Sequence, residues 1–486
     1  MQPGVLARHV GNLLLLVAIA MLVPAAYAWL ARETTAGTAF LLSAALTAAL
    51  GGALRVRTRD EELSIRTALA VVVLGWAAAA TASALPFWLS GLPWIDALFE
   101  AVSGVTTTGA TVIRDLSRHD RALLLWRSML QWFGGLGIIV LFTSVFPRLG
   151  IGAIQLFRAE MTGLQPEKLL PRLSDTSKLL WTIYGLLTAA AAVLLVLAGM
   201  PVFDAVNHAL TTVSTGGFST HNAGISAFGS AAVESVLLLF MFLGATNFML
   251  IYRVFRLGDW RAARDEEFRL YVALVVGGGL LIAAALWLQQ GDPLGAALRR
   301  GLFQAVAVIS TTGFAVADYT QWPHLAQAVL FVLMFVGGCA GSTAGGPKIV
   351  RVLVALKHGA GEIVRVLHPR SVRVVRLDDQ PLPPSVFAAA TAFLFVYAGT
   401  WFFSTVVLAA LGLPLPDAAV AAISALGNIG PGFANIGPTE TFAGFPAGVK
   451  LYLMVLMLVG RLEVLGVYAL LLPGFWDLRP GRRVRG

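Results

Sequence analysis

A chain of 486 residues that is 57% hydrophobic and 13% charged, with mean hydropathy +0.79, lacks the polar surface a water-soluble protein of this size needs. Its net charge of +9 does not imply a nucleic-acid partner, and none is expected, because basic loops on one face of a membrane give the same balance. One cysteine, Cys339, excludes an intramolecular disulfide, and apolar runs of about 20 residues or more point to an all-α polytopic membrane protein embedded in a lipid bilayer.

Residues 10–30 and 36–54 are predicted as two spans. The first is not read as a signal peptide, since 24–29 offers no convincing small-residue cleavage site and a second span follows at once. A pattern then begins: a span at 67–89, a short apolar segment at 93–103, a Ser/Thr/Gly stretch, and a span at 123–146. The short segment cannot cross a bilayer and reads as a half-helix. The same order recurs with spans at 179–198 and 233–255 around a half-helix at 201–212. It recurs again with a span at 270–288, a half-helix at 298–308 and a span beginning near Leu325. The last copy has spans at 386–411 and 449–472 around a half-helix at 417–425. This gives ten spans in all. The predicted organisation is an N-terminal two-helix extension (1–58) and four pseudo-symmetric pore units at 59–165, 166–262, 263–375 and 376–486.

The stretches after the half-helices carry the chemistry. They contain Thr107-Thr108-Gly109, Thr215-Gly216-Gly217, Thr311-Thr312-Gly313 and Asn428-Ile429-Gly430. Their last glycines are spaced by 108, 96 and 117 residues. Irregular backbone at membrane depth must be buried in protein or line water. Glycine-rich extended backbone can point successive carbonyls inward, and four copies, each supplying a quarter of one filter, make rings that replace the hydration shell of a cation. The hydroxyls of Thr107, Thr215 and Thr311 add oxygens below the carbonyls, while the half-helices aim their partly negative C-termini at the same place. No Asp or Glu lies in these stretches, which favours a monovalent ion over a divalent one. Close helix packing explains one Ser/Thr/Gly stretch; it does not explain four in one context. Asp96, Asp204 and Asp417 each lie 13 residues before their unit's key glycine, with Arg300 in unit three, and are expected to cap half-helix N-termini.

The inner span of unit three is interrupted by 337–348, where Gly337, Gly338, Gly341, Gly345 and Gly346 precede Pro347. Such a stretch is a poor helix interior and is expected to be a mobile gating segment. It is not a Walker A loop, since no Gly-Lys-Ser/Thr follows. Arg461 lies inside the last span, aligned with Gly135, Ala245 and Gly338, and is expected beneath the filter as a barrier to cations and an anchor for the loop. Glu463 stands two residues away and is not expected to share a helix face with it.

Basic residues set the orientation. Arg8, the four arginines at 55–66, five Lys/Arg in each of 147–178 and 253–269, seven in 348–376 and four in the tail place 26 of 35 on one side. By the positive-inside rule that side is the cytoplasm, so both termini are cytoplasmic. The 348–376 cluster exceeds what topology needs and is a candidate dock for a cytosolic partner. The seven histidines have no metal spacing, and neither HExxH nor GxSxG occurs, so no enzyme is expected.

Gly104-Val105-Thr106-Thr107-Thr108-Gly109-Ala110-Thr111, Gln131-Trp132-Phe133-Gly134-Gly135-Leu136-Gly137 and Asn428-Ile429-Gly430-Pro431-Gly432 are similar to motifs of the Trk/Ktr/HKT superfamily of potassium transporters. Over essentially the whole chain, and with its N-terminal pair, the sequence resembles the TrkH branch, the membrane subunits of Trk-type uptake systems. The resemblance implies a potassium-selective filter at the twelve residues named above, with Asn428 departing from threonine. It implies gating by the glycine-rich loop, a pore role for Arg461, and no organic cofactor in this chain. It also implies a homodimer in a bacterial inner membrane, bound to a cytosolic nucleotide-sensing (TrkA-like) ring. The rival reading is a proton- or sodium-coupled secondary symporter, which predicts acidic coupling residues that the sequence of the four units does not present.

Overall fold

A computed structural model describes residues 2–55, 65–144, 173–369, 375–378 and 380–476. Arg57, Arg59, Arg148, Arg158, Lys168, Arg172, Arg370, Arg373, the four tail arginines and the end of the predicted 123–146 span lie outside the described residues.

The N-terminal pair is α1 (Pro3–Leu30) and α2 (Thr34–Arg55). The two helices touch backbone to backbone: a Cβ on Gly11 would stand 2.7 Å from the Gly51 carbonyl oxygen, and one on Gly51 2.8 Å from that of Gly11. Small residues allow this approach where lipid supplies no hydrophobic drive. The pair packs on unit one through Met21, Phe40, Phe87 and Trp126.

Unit one is α3 (Ile65–Leu89), the half-helix α4 (Trp94–Val105) and α5 (Arg121–Ser144). Unit two is α6 (Leu173–Leu197), the half-helix α7 (Val202–Val213), α8 (Ala231–Gly244) and α9 (Phe248–Leu257). Unit three is α10 (Glu266–Ala285), the half-helix α11 (Leu294–Ile309), α12 (His324–Leu333) and α13 (Ile349–Leu367). A two-residue hairpin, Arg376–Leu377 against Gln380–Pro381, leads to unit four. That unit is α14 (Pro384–Ala410), the half-helix α15 (Leu415–Gly427), α16 (Ala447–Arg461) and α17 (Val464–Leu471). Among the described residues six helices are long and apolar enough to cross a membrane, or eight if each of two bent pairs counts as one span.

Burial runs opposite to that of a soluble protein. The half-helices are buried along most of their length, while α14 exposes Phe395, Phe402 and Phe403. Exposed Trp29, Trp88, Trp94 and Trp287 mark one end of the spans and Trp181, Trp260 and Trp476 the other, as amphipathic rings at two membrane interfaces would.

All four half-helices begin and end alike. Each is capped by a proline (Pro93, Pro201, Pro293, Pro414) with φ between −54° and −55°, which presets the helical turn and needs no N–H partner. The aspartates expected as caps sit instead in the first turn, where they favour the positive helix end. Their carboxylates bond elsewhere: Asp204 to Thr220 Oγ1 (2.6 Å), Asp417 to Asn435 Nδ2 (2.6 Å), and Asp96 to Lys450 Nζ (2.6 Å) of unit four. At the other end the N–H of residue 107, 215, 311 or 428 bonds the carbonyl three residues back, at 2.9–3.3 Å. The next N–H bonds the carbonyl five back, at 2.8–2.9 Å. This is a Schellman ending, whose left-handed residue is usually glycine. Here it is Thr107, Thr215, Thr311 or Asn428, with φ from 53° to 56°.

Three of the four inner spans break at one level. The expected continuous helices at 233–255 and 449–472 are bent by 105° after Gly244 and by 113° after Arg461. In unit three the chain leaves helical geometry after Leu333 and resumes it at Ile349, as its glycines predict. Residues 349–367, part of the predicted 348–376 loop, form the helix α13, and two members of that basic cluster, Lys348 and Arg351, are buried.

Candidate ion pathway

The four predicted stretches come together and close a cycle. A Cβ built on Gly109 would lie 2.2 Å from the carbonyl oxygen of Gly216 in unit two. On Gly217 it would lie 1.7 Å from Thr312 O in unit three, on Gly313 2.0 Å from Ile429 O in unit four, and on Gly430 2.6 Å from Thr108 O in unit one. Only glycine fits these four approaches, and all four have φ between 74° and 94°. Each unit's glycine therefore abuts the carbonyl of the residue just before the key glycine in the next unit.

The left-handed residues of the four stretches differ in what their side chains do. Thr107 Oγ1 and Asn428 Oδ1 are buried without a hydrogen-bond partner. Thr215 donates to Ser214 O (2.7 Å), and Thr311 Oγ1 accepts from Gly345 N (2.7 Å). Asn428 Nδ2 donates to Thr108 Oγ1 (3.0 Å) and Met457 O (2.9 Å), tying unit four to unit one. Gln131, from the quoted motif, braces unit two: its Nε2 donates to Gly216 O (2.7 Å) and its Oε1 accepts from Phe218 N (3.0 Å).

Above the cycle lies a cavity of about 140 Å³ reached by Gly109, Gly217, Gly313 and Pro431, with Asp318 and Glu440 in its wall. On the other side of the cycle the 334–348 segment packs against it: a Cβ on Gly345 would meet Gly427 O at 2.5 Å, and one on Gly337 would meet Gly345 O at 2.1 Å. Gly341 and Gly346 are left-handed (φ 69° and 64°), and Gly338 packs on Ala245. Thr343 Oγ1 donates to Val213 O (2.9 Å) and Gly244 O (3.0 Å), so the loop is held by unit two as well as unit three. Arg461 is buried and bridges three units, its Nη1 donating to Thr343 O (2.9 Å) and its Nη2 to Gly134 O (3.1 Å). Between Arg461, Lys348 and the loop remain about 10 Å³, room for a water at most. Glu463 pairs with Arg351 (2.5 Å) rather than with Arg461.

Sequence reasoning missed a buried ion pair behind the first of the four stretches. Glu100, in α4, accepts from Arg127 Nε (2.6 Å), Thr111 Oγ1 (3.0 Å) and Val112 N (3.1 Å). Arg127 also reaches Ser219 O (3.0 Å) and stacks over Phe218 (4.1 Å). The expectation that the units carry no acidic residue at membrane depth is thus corrected, although Glu100 is fully paired. The one signal available was a Glu inside an apolar half-helix.

A family model described as "TrkH: Cation transport protein" matches residues 36–278 and 290–472. The chain belongs to the TrkH family of cation transport proteins. It is 37% identical over 479 residues to the Trk system potassium uptake protein TrkH of Salmonella typhimurium, covering 97% of this chain and 99% of that one. It is 36% identical over 480 residues to the Trk system potassium uptake protein TrkG of Escherichia coli K12, covering 97% and 98%. The crystal structure of the potassium transporter TrkH from Vibrio parahaemolyticus matches with TM-score 0.90 and 36% identity, covering 98% of this chain and 100% of that chain. The TrkH fold and membership of a transport family make the chain a polytopic membrane transporter and not an enzyme.

Proposed function

We propose that the chain carries potassium into a bacterial cell through a filter formed by the cycle of four glycines, with 334–348 as its gate and Arg461 as its barrier. The observation that carries this reading is the closed contact of Gly109, Gly217, Gly313 and Gly430 with their neighbours' carbonyls. Such a cycle brings uncharged oxygens from all four units around one centre, which suits a monovalent cation. The unpartnered oxygens of Thr107 and Asn428 supply further acceptors at the lowest layer. Potassium, here the transported cargo, is favoured because the relatives above are named for its uptake. The remaining filter positions, Thr108, Thr215, Gly216, Thr311, Thr312 and Ile429, complete the rings, and Gly337, Gly338, Gly341, Gly345 and Gly346 give the gate its turns.

Arg461 acts in two ways: its charge repels a cation leaving the filter, and its hydrogen bonds hold Thr343 in place. The chain works in the inner membrane with both termini cytoplasmic, as a homodimer joined to a nucleotide-sensing cytosolic ring. The exposed Leu356, Ile363 and Val366 beside Lys357 and Arg365 on α13 suit that partner. Membrane potential alone drives entry, at about 2.3 kcal/mol per charge per 100 mV. The test is rubidium uptake into liposomes under an imposed potential with no sodium or proton gradient, using the parent and Arg461→Ala. Uptake is expected in both and faster in the variant. Uptake that needs a sodium or proton gradient would favour the symporter instead.

A further inference from the structure

We propose that Glu267 is the clamp that holds the 334–348 loop in its blocking position. The proposal rests on the gate reading above, and it names a residue outside the filter, the loop and Arg461.

Glu267 is the second residue of α10, the outer span of unit three, and is only 4% exposed. Its Oε1 accepts two hydrogen bonds, from Ala340 N (2.7 Å) and from Val350 N (3.1 Å). Ala340 lies on the limb of the loop that descends from α12, and Val350 on the limb that enters α13. One carboxylate oxygen therefore joins both limbs at the base of the loop. The two residues it bonds, Ala340 and Val350, are packed with Val354, Leu377 and Ala390 in a buried apolar cluster. A buried carboxylate is costly unless hydrogen-bonded, and bonds to a charged acceptor are stronger than neutral ones. Two buried backbone N–H groups would lose this acceptor if Glu267 were removed.

The rest of the loop's anchoring is of another kind. Gly337 N donates to Pro347 O (2.9 Å) and Ile349 N to Gly338 O (3.2 Å), which hold the loop to itself. Gly345 N and Thr343 Oγ1 hold its tip to the half-helix ends through uncharged groups, and the charged groups there, Arg461 Nη1 and Lys348 Nζ, are donors to the loop carbonyls of Thr343 and Ala344. Glu267 instead ties its base to a span that does not break. The neighbouring Glu266 pairs with Lys357 of α13, so two consecutive carboxylates grip the loop and the helix that follows it. A displacement of α13 along its axis breaks the Val350 bond first, then frees Ala340.

The chain carries its own reporter. Cys339, its one cysteine, is buried beside Ala340 and its N–H bonds Ala245 O (2.9 Å). Maleimide labelling of Cys339 in liposomes holding the full chain measures loop release independently of flux. Glu267→Ala is expected to label about tenfold faster than the parent, the effect of losing hydrogen bonds to one charged acceptor. Glu267→Gln keeps an oxygen for both N–H groups and is expected between the two, about threefold above the parent. Rubidium uptake should rise in the same order with rubidium-over-sodium preference unchanged. Parental labelling rates in both variants overturn the clamp, and if Glu267→Ala does not fold, a parental rate in Glu267→Gln alone does so. A chain shortened across 341–344 separates the two readings. If that chain gains uptake while the Glu267 variants label like the parent, the gate stands and the clamp falls. If the Glu267 variants label faster and neither they nor the shortened chain gain uptake, the gate reading falls.

Discussion

At the scale of single residues, the four left-handed positions bear on the composition of the proposed filter. Threonine at φ near 55° is unfavourable because its branched Cβ crowds the backbone, and glycine is the usual occupant of such a helix end. Three threonines kept there at a cost of about 1 kcal/mol each argue that their hydroxyls are needed. Asn428 departs from threonine but tolerates the conformation better, and it keeps one unpartnered oxygen as Thr107 does. The sequence repeat made these residues legible; their conformation was not, because residue type argues for glycine. Arg461 was legible as a charge within an apolar run. Glu267 was not, because a glutamate near a helix start reads as a solvated end. Its neighbour Asp265 caps α10 through Phe268 N (3.1 Å), and burial together with the nearby Asp378 charge raises its carboxyl from 3.8 to about 6. A raised carboxyl binds its proton more tightly in the folded chain, so stability falls as pH rises from about 4 to about 6 and stays lower above. Asp265→Asn keeps a capping oxygen and removes the charge. Its apparent melting temperature in detergent is expected to exceed the parent's at pH 8, with the two converging towards pH 4; an equal difference at both pH values would contradict this.

At the scale of elements, the inner spans of units two, three and four break just below the filter, whereas α5 runs unbroken through Gly134 and Gly135. The unit-three break was legible because five glycines and a proline crowd it. The others were not: only Asn247, which caps α9, and Glu463, left-handed at φ 64°, mark them, and apolar sequence continues on both sides. The half-helices were legible as segments too short to cross, and each begins at a proline. The Glu100–Arg127 pair lies within unit one, 27 residues apart in sequence, and breaks no motif; Arg127 also binds unit one to unit two through Ser219 O and Phe218. Removing one partner of a buried pair leaves the other uncompensated, at about 3–5 kcal/mol. Arg127→Ala is therefore expected to lower the apparent melting temperature by several degrees and to lose rubidium preference. Replacing both Glu100 and Arg127 by neutral residues should cost less than Arg127→Ala alone, and a double variant worse than the single would count against the pair.

At the scale of the whole molecule, four units of unequal sequence arrive at one geometry. Proline opens each half-helix, a left-handed residue closes it, and the glycine two residues later meets the next unit's carbonyl. The N-terminal pair stands outside this plan; it packs on unit one through Met21 and Phe40, and touches unit two through Tyr27 on Phe203 and unit four through Leu6 in the cluster with Leu470 and Phe475. Fold class and unit order followed from periodicity and apolar run length, since a bilayer constrains both. That the four stretches share one site was readable from their repetition; the glycine–carbonyl contacts that close the cycle were not, because they join residues about a hundred to three hundred positions apart. Its direct test is competitive rubidium and sodium uptake into liposomes by the parent and by Gly313→Ser, whose added Cβ would stand 2.0 Å from Ile429 O. The parent is expected to prefer rubidium, and the variant to lose at least tenfold of that preference, about 1.4 kcal/mol of discrimination. Equal preference in parent and variant would contradict a filter built from these four glycines.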